Sequence, residues 1–421
     1  MGAEAAGTVL VVAELDQRGA DFRQYAELIE ERGLEPLVMD VSMELEPPFE
    51  GDIPCSAVAE AGGSSIEEIR ELYNGDGREE ATETMIEGAK QLARERYDAG
   101  DINGVFGAGG ATSTLMSSSV MKELPYGVPK VIASSVASHP RYAPDYVDTS
   151  DITMHHTVLD VSGDYNPLLE RELRHAVDAV CAMVEDTGGA AVTFENPVVG
   201  VTAYGFAERC SEVVIDRLKA EGFDPIPCHA QGRGDRAMDD LIRDGKMAGV
   251  VDVVTRGVVE HLLDGNCDPG PDRILAASEA GIPQVITPSG NEMVSYAKRA
   301  DLEERFGGRE MAKLDETKIE VRTSVEECRE VGREMARRVN ASDAPVRILV
   351  PTQGWSSIHR EGETLWDPEA DRALVDSLRE GLDDPSLLVE VDDHLYTESF
   401  GERLAETFLD LWEVHEATQP V

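Results

Sequence analysis

The chain has 421 residues, 41% of them hydrophobic, which is enough for two domains or one large one with a sizeable core. Its 83 acidic residues against 38 basic ones give a formal net charge of -45, and a surface this acidic repels a phosphate backbone, so nucleic-acid binding is not expected. No run of 18 apolar residues is present, so no membrane span is expected, and the opening "MGAEAAG" lacks the basic and apolar regions of a signal peptide, which makes the cytoplasm the expected location.

From the N-terminus, short β-rich runs alternate with longer helical patterns. "TVLVVAEL" (8–15) reads as a buried strand, "DFRQYAELIEERG" (21–33) as a helix stopped by Gly33, and "EPLVMDVS" (35–42) as the next strand. A helical block covers 66–99, "INGVFG" (102–107) is a strand, a helix runs from Thr112 to Leu124, and "PKVIASSVAS" (129–138) is another strand. The helical pattern 167–186 closes this half, and "TGGAAVTFENP" (187–197) reads as a linker. Alternation then restarts with "VVGVTAYG" (198–205) and continues to the helix in "TESFGERLAETFLDLWEV". Strand and helix in this rhythm mean βαβ units and parallel sheets. The expected fold is therefore α/β: two Rossmann-like, doubly wound domains, 1–190 and 191–421, with mainly parallel sheets and a cleft between them.

The acids are spread through every segment, and only 8 lysines stand beside 30 arginines. That distribution suits a halophilic protein in salt-rich cytoplasm, where charges are screened over about 3 Å at 1 M. The six cysteines show no CxxC or zinc spacing and are expected to be buried free thiols.

Ligands of open parallel sheets gather beyond the carboxyl ends of the strands. "FGAGGATSTLMSS" (106–118) lies at such an end. Gly107, Gly109 and Gly110 let the backbone turn and approach a ligand, and the helix starting at Thr112, Ser113 and Thr114 offers unpaired N–H groups to an anion. The loop lacks the lysine of a Walker A motif and the third glycine of a dinucleotide fingerprint. Two readings stand: a phosphate cradle, or a tight strand-to-helix turn with a cap. Asp16 in "LDQRG", Asp40 at the end of the second strand, and Ser134, Ser135 and Ser138 in "ASSVAS" fall at the same edge. Asp40 is either a ribose-binding acid or a turn cap. Asp148 and Asp151 are spaced to hold Mg²⁺ through water or to cap turns. In the second half, Gly232, Arg233, Gly234 and Arg236 form a second glycine-rich turn that would bind an anion through its arginines or pair them with local acids. Ser356 or Ser357 with His359 suggests a nucleophile and base, but no G-x-S-x-G elbow accompanies them.

Taken in order, "LDQRGADF", "LVMDVS", "INGVFGAGGATST", "LPYGVPKVIASSVAS" and "DTSDIT", followed by "FDPIPCHAQGRGDRAMDDLIRDG" and "DPGPDRILAASEAGIPQVITPSG", resemble the ATP-binding domain family typified by the tomato mosaic virus resistance protein. The resemblance covers about 8–415. It implies two Rossmann-like domains, ATP with or without Mg held by the N-terminal domain, and homodimers. It assigns the nucleotide to Gly107, Gly109, Gly110, Thr112, Ser113, Ser134 and Ser135, with Asp16 and Asp40 beside them. The chain departs from the usual pattern at Ala111, where a further glycine is common, and at "GRGD", where "GTGG" is common. Three functions fit: a nucleotide-binding protein regulated or stabilised by ATP, an ATP-dependent phosphoryl-transfer or ligase-type enzyme working in the cleft, and an interaction scaffold with a structural nucleotide.

Overall fold

The computed structural model describes residues 7–160, 166–190, 192–297, 301–341 and 344–418. The chain forms two compact units, Met1–Thr193 and Phe194–Val421.

In unit 1 the order is β1 (Thr8–Ala13), α1 (Leu15–Glu31), β2 (Glu35–Asp40), α2 (Cys55–Ala61), α3 (Ile66–Asn74), α4 (Arg78–Asp98), β3 (Gly104–Gly109), α5 (Ala111–Lys122), β4 (Lys130–Ser134), α6 (Ala143–Val147), β5 (Thr153–His156) and α7 (Pro167–Thr187). The five strands make one parallel sheet in the order β2-β1-β3-β4-β5. The central strands are continuous apolar runs because helices cover both faces. On one face Met116, Val120 and Met121 of α5 join α2, α3 and α4. On the other, Phe22, Tyr25 and Leu28 of α1 pack with Leu173, Val177 and Val180 of α7.

Unit 2 runs β6 (Val198–Ala203), α8 (Glu208–Ala220), β7 (Asp224–His229), α9 (Arg233–Arg243), β8 (Gly249–Asp252), α10 (Gly257–Leu262), α11 (Leu275–Ala280), β9 (Gln284–Ile286), β10 (Met293–Ala297), α12 (Leu302–Phe306), β11 (Met311–Lys313), β12 (Lys318–Arg322), α13 (Val325–Asn340), β13 (Val346–Pro351), α14 (Pro368–Gly381), β14 (Leu388–Val391) and α15 (Glu398–Thr418). Six strands form a parallel sheet ordered β14-β13-β9-β8-β6-β7. Both units are doubly wound α/β folds of Rossmann type.

The structure departs from the expected elements in four places. β3 extends to Gly109 and α5 begins at Ala111, so two of the three loop glycines belong to the strand. The block 66–99 is two helices, broken between Asn74 and Arg78, where Gly75 leaves the helical region (φ -101, ψ -139) and a Cβ on Gly77 would meet Leu72 at 2.6 Å. β5 lies inside the acid- and histidine-containing stretch 145–156. Finally, β10, β12 and β11 form a separate antiparallel sheet, which interrupts the expected alternation of parallel strands and helices.

Candidate functional site

The strand order of unit 1 reverses between β1 and β3: α1 leaves β1 over one face and α5 leaves β3 over the other. That topology opens a crevice at the carboxyl ends of these two strands, with a helix N-terminus on each side.

On the β3 side, Gly109 has φ +152, and a Cβ there would sit 2.5 Å from the Ser113 Cβ, so the turn requires glycine. The first helical bond of α5 runs from Thr114 N–H to the Gly110 carbonyl at 3.0 Å, and no side chain caps the helix. The amides of Ala111, Thr112 and Ser113 thus have no hydrogen-bond partner among the described residues. A Cβ on Gly110 would meet nothing within 4 Å. The turn is open on the Cβ side of Gly110.

On the β1 side stand two residues that motif reading passes over. Arg18 breaks the helical dihedrals of α1 (φ -136, ψ 22), and its side chain is only 10% exposed. Its Nε lies 3.7 Å from Asp21, Nη1 lies 3.0 Å from where a Gly109 Cβ would be, and Nη2 is buried without a hydrogen-bond partner. Glu14 accepts a 2.5 Å hydrogen bond from the Ser113 hydroxyl, and burial raises its pKa against the pull of that bond. Both belong to "ELDQRG", and an arginine directly after the first strand was the available signal.

The expected residues divide. Gly109, Gly110, Thr112 and Ser113 line the turn, and the Ser135 N–H joins it by bonding the Gly109 carbonyl at 3.2 Å. Gly107 lies within β3, where a Cβ would sit 2.2 Å from the Ser117 Oγ, so it serves the packing of α5 on the strand. The buried Ser134 hydroxyl is shared with Thr114 Oγ1 (2.8 Å) and the Val136 N–H (3.1 Å). Asp16 accepts from the Glu44 and Leu45 amides, and buried Asp40 accepts from Leu15 N–H and from Ser42. Both acids hold the segment after β2 against the start of α1, and burial raises the pKa of Asp40.

Asp151 is not brought to the turn. It accepts from Lys130 Nζ at 2.5 Å and from the Gly127 N–H at 2.7 Å. Lys130 opens β4 whereas Ser134 closes it, so Asp151 sits at the opposite edge of the sheet. Asp148 ends α6 with φ +45, and no group of three or more metal-ligating side chains occurs among the described residues. Lys130 is fully buried, and burial lowers its pKa against the attraction of Asp151. Asp151→Ala is expected to destabilise unit 1 by roughly 3 kcal/mol, with or without Mg²⁺, because it strands a buried ammonium. Urea titration of both proteins checks this.

In unit 2, Gly232 has φ +82, and Gly234 is required because a Cβ would come 2.3 Å from the His229 carbonyl. Arg233 and Arg236 each already have an interaction partner. The helix they open carries buried Asp235 and Asp239, both facing buried Arg273. His359 has its acceptor nitrogen, Nδ1, taken by the Trp355 N–H, while Nε2 lies 3.1 Å from Asp371 without a hydrogen bond. It is therefore no free base for Ser356 or Ser357. All six cysteines are buried free thiols.

Comparison with known proteins bears on the chain as a whole. Residues 7–188 and 196–412 match the N-terminal and C-terminal domain models of the uncharacterised protein family UPF0261. A UPF0261 protein of Clostridium tetani is 32% identical over 406 residues, covering 96% of this chain and 99% of that one. A UPF0261 protein of Rhizobium meliloti is 32% identical over 372 residues, covering 88% and 90%. The ToMV resistance protein Tm-1(GCR237) of Solanum lycopersicum is 29% identical over 370 residues, which is 86% of this chain but 48% of that protein. The chain belongs to the UPF0261 family.

Proposed function

We propose that unit 1 binds a nucleoside triphosphate, ATP foremost and with Mg²⁺ as its counterion, in the β1/β3 crevice, and that the nucleotide regulates or stabilises the protein. The carrying observation is the Arg18 guanidinium, nine-tenths buried with Nη2 unpartnered, set against the uncapped N-terminus of α5. A buried cation without a full set of partners costs folding free energy unless an anion completes it. Free amides at the positive end of a helix favour the same phosphate charge.

An aromatic face favours a nucleotide over a bare polyphosphate. Tyr146 Oη donates to the Ala111 carbonyl at 3.3 Å, which ties α6 to the turn. Nearby, Tyr142 is 45% exposed and stacks on His139 at 4.1 Å, which leaves a ring for a base to cover. The dimer, the cytoplasmic setting and the salt-adapted surface belong to this same proposal.

Melting in molar KCl with and without Mg-ATP tests it. Saturating nucleotide at 100 times Kd adds about 2.7 kcal/mol of stability, a rise of several degrees. Arg18→Gln is expected to abolish most of that rise, and Tyr142→Ala to weaken ATP but not inorganic tripolyphosphate. An undiminished rise in Arg18→Gln would overturn the assignment.

A further inference from the structure

Unit 2 has its own switch point. β7 lies to one side of β6, whereas β8, β9, β13 and β14 lie to the other, so the order reverses between β6 and β8. Ligands of such sheets sit beyond the carboxyl ends of the strands at that point.

Four polar side chains meet there. Tyr204 follows β6, His229 ends β7, Arg256 follows β8, and Lys318 opens β12. Arg256 is completely buried and pairs with Glu260 and, at 3.1 Å, with Glu320, both also completely buried. The guanidinium carbon lies 4.6 Å from the centre of the Tyr204 ring. The Tyr204 hydroxyl donates to Glu320 at 3.2 Å and accepts from Lys318 Nζ. Lys318 Nζ is also 3.4 Å from Glu320, and its side chain remains 20% exposed. The exposed His229 ring lies 5.9 Å from that of Tyr204. Loss of hydration, then the charges of Lys318 and Arg256, lowers the pKa of His229.

Completely buried ion pairs rarely repay their desolvation. Here they fix the Tyr204 ring and hydroxyl, which in turn hold the ammonium at the mouth of the crevice. An ammonium has three donors: one goes to the Tyr204 hydroxyl, and Glu320 stands at ion-pair distance without a hydrogen bond. The remaining donor capacity belongs to a side chain that reaches solvent, and the ammonium (4.8 Å) and the His229 ring (5.9 Å) both approach the Tyr204 ring.

We propose that this edge of unit 2 is a second ligand site, in which Lys318 Nζ receives the carboxylate or phosphate group of a small molecule and the His229 ring makes the neighbouring contact. This site is separate from the nucleotide crevice of unit 1 and does not depend on it.

Proton–carbon NMR of protein labelled at histidine Cε1 tests the proposal, with the His229 signal among nine assigned by His229→Gln. Inorganic phosphate and malonate are titrated separately in molar KCl, so that bulk ionic effects are constant. The His229 signal is expected to move saturably with at least one probe while the others stay in place. The bound oxyanion also raises the His229 pKa by about half a unit or more in the wild-type protein. Lys318→Met is expected to weaken the probe about tenfold or more, since a charged hydrogen bond is lost, whereas Lys318→Arg retains it. A His229 signal that neither probe moves, or an unchanged titration in Lys318→Met with the other histidine signals in place, overturns the site.

Discussion

Gly107→Ala is expected to unfold unit 1 several degrees early, whereas Gly110→Ala leaves the melting point nearly unchanged and removes the rise produced by Mg-ATP. At Gly107 the added methyl would sit 2.2 Å from Ser117 Oγ and 2.4 Å from Ser117 Cβ, on a side chain that is itself buried. α5 must then move off β3, and overpacking of this kind costs about 1–3 kcal/mol or more. Gly107→Ala with Ser117→Gly removes both clashing atoms, so the double variant should be more stable than the sum of the single losses predicts. At Gly110 the added methyl meets no atom within 4 Å, and its backbone, at φ -88 and ψ -152, is open to any residue. Its loss as an N-cap costs at most about 1 kcal/mol. In the proposed site the same methyl would stand at the N-terminus of α5, where the phosphate is proposed to meet the three amides. Calorimetric melting of the three variants with and without nucleotide reads both quantities. Equal basal losses at the two glycines would show that the turn is only a packing device. Gly109 cannot separate the roles, because its φ of +152 and the nearby Ser113 make it necessary to the fold whatever binds.

The same three glycines show how far the sequence carried. Apolar runs such as "TVLVVA" and "KVIAS", separated by helical patterns, were enough for parallel βαβ units, because the hydrophobic period reports burial directly. Glycine spacing reports only that side chains are absent. Close packing at Gly107, positive φ at Gly109 and open space at Gly110 look identical in one-letter code. Acids gave the opposite difficulty. Asp16, Asp40 and Asp151 fall at loop positions suited to ligands, yet their partners (the Glu44 amide, Ser42 and Lys130) lie 28, 2 and 21 residues away, and most of that pairing exists only after folding. Arg18 was hidden for the same reason, since its burial follows from a break in α1 that no propensity announces. The sheet of β10, β11 and β12 was illegible because its strands are short and of mixed polarity and interrupt an otherwise regular βαβ rhythm.

Between pH 5 and pH 8, unit 2 is expected to lose stability as pH rises, and Asp239→Asn to remove a large part of that loss. Arg273 is completely buried among three aspartates: Nη2 lies 2.6 Å from Asp252, and Nε and Nη1 lie 3.6 Å from Asp235 and Asp239. One cation cannot neutralise three carboxylates. Burial pushes Asp235 up to about 6 and Asp239 up to about 7; Arg273 opposes this, while the neighbouring acids reinforce it. In the unfolded chain both titrate near 3.8. From pH 4 to 7, therefore, the folded state holds protons that the unfolded state has released, and stability falls with rising pH, levelling off above 7. At about 1.4 kcal/mol for each tenfold difference in proton affinity between the two states, the Asp239 carboxyl alone accounts for a loss of roughly 3 kcal/mol between pH 5 and pH 8. Exposed carboxylates titrate mainly below this window, and molar salt screens their repulsion. Urea midpoints of wild type and Asp239→Asn, followed by a probe in unit 2, should converge at pH 5 and diverge at pH 8, with the variant the more stable there. Parallel curves across the window would mean that Arg273 and its hydrogen bonds keep the aspartates ionised, and that the buried excess of acid carries no proton at neutral pH.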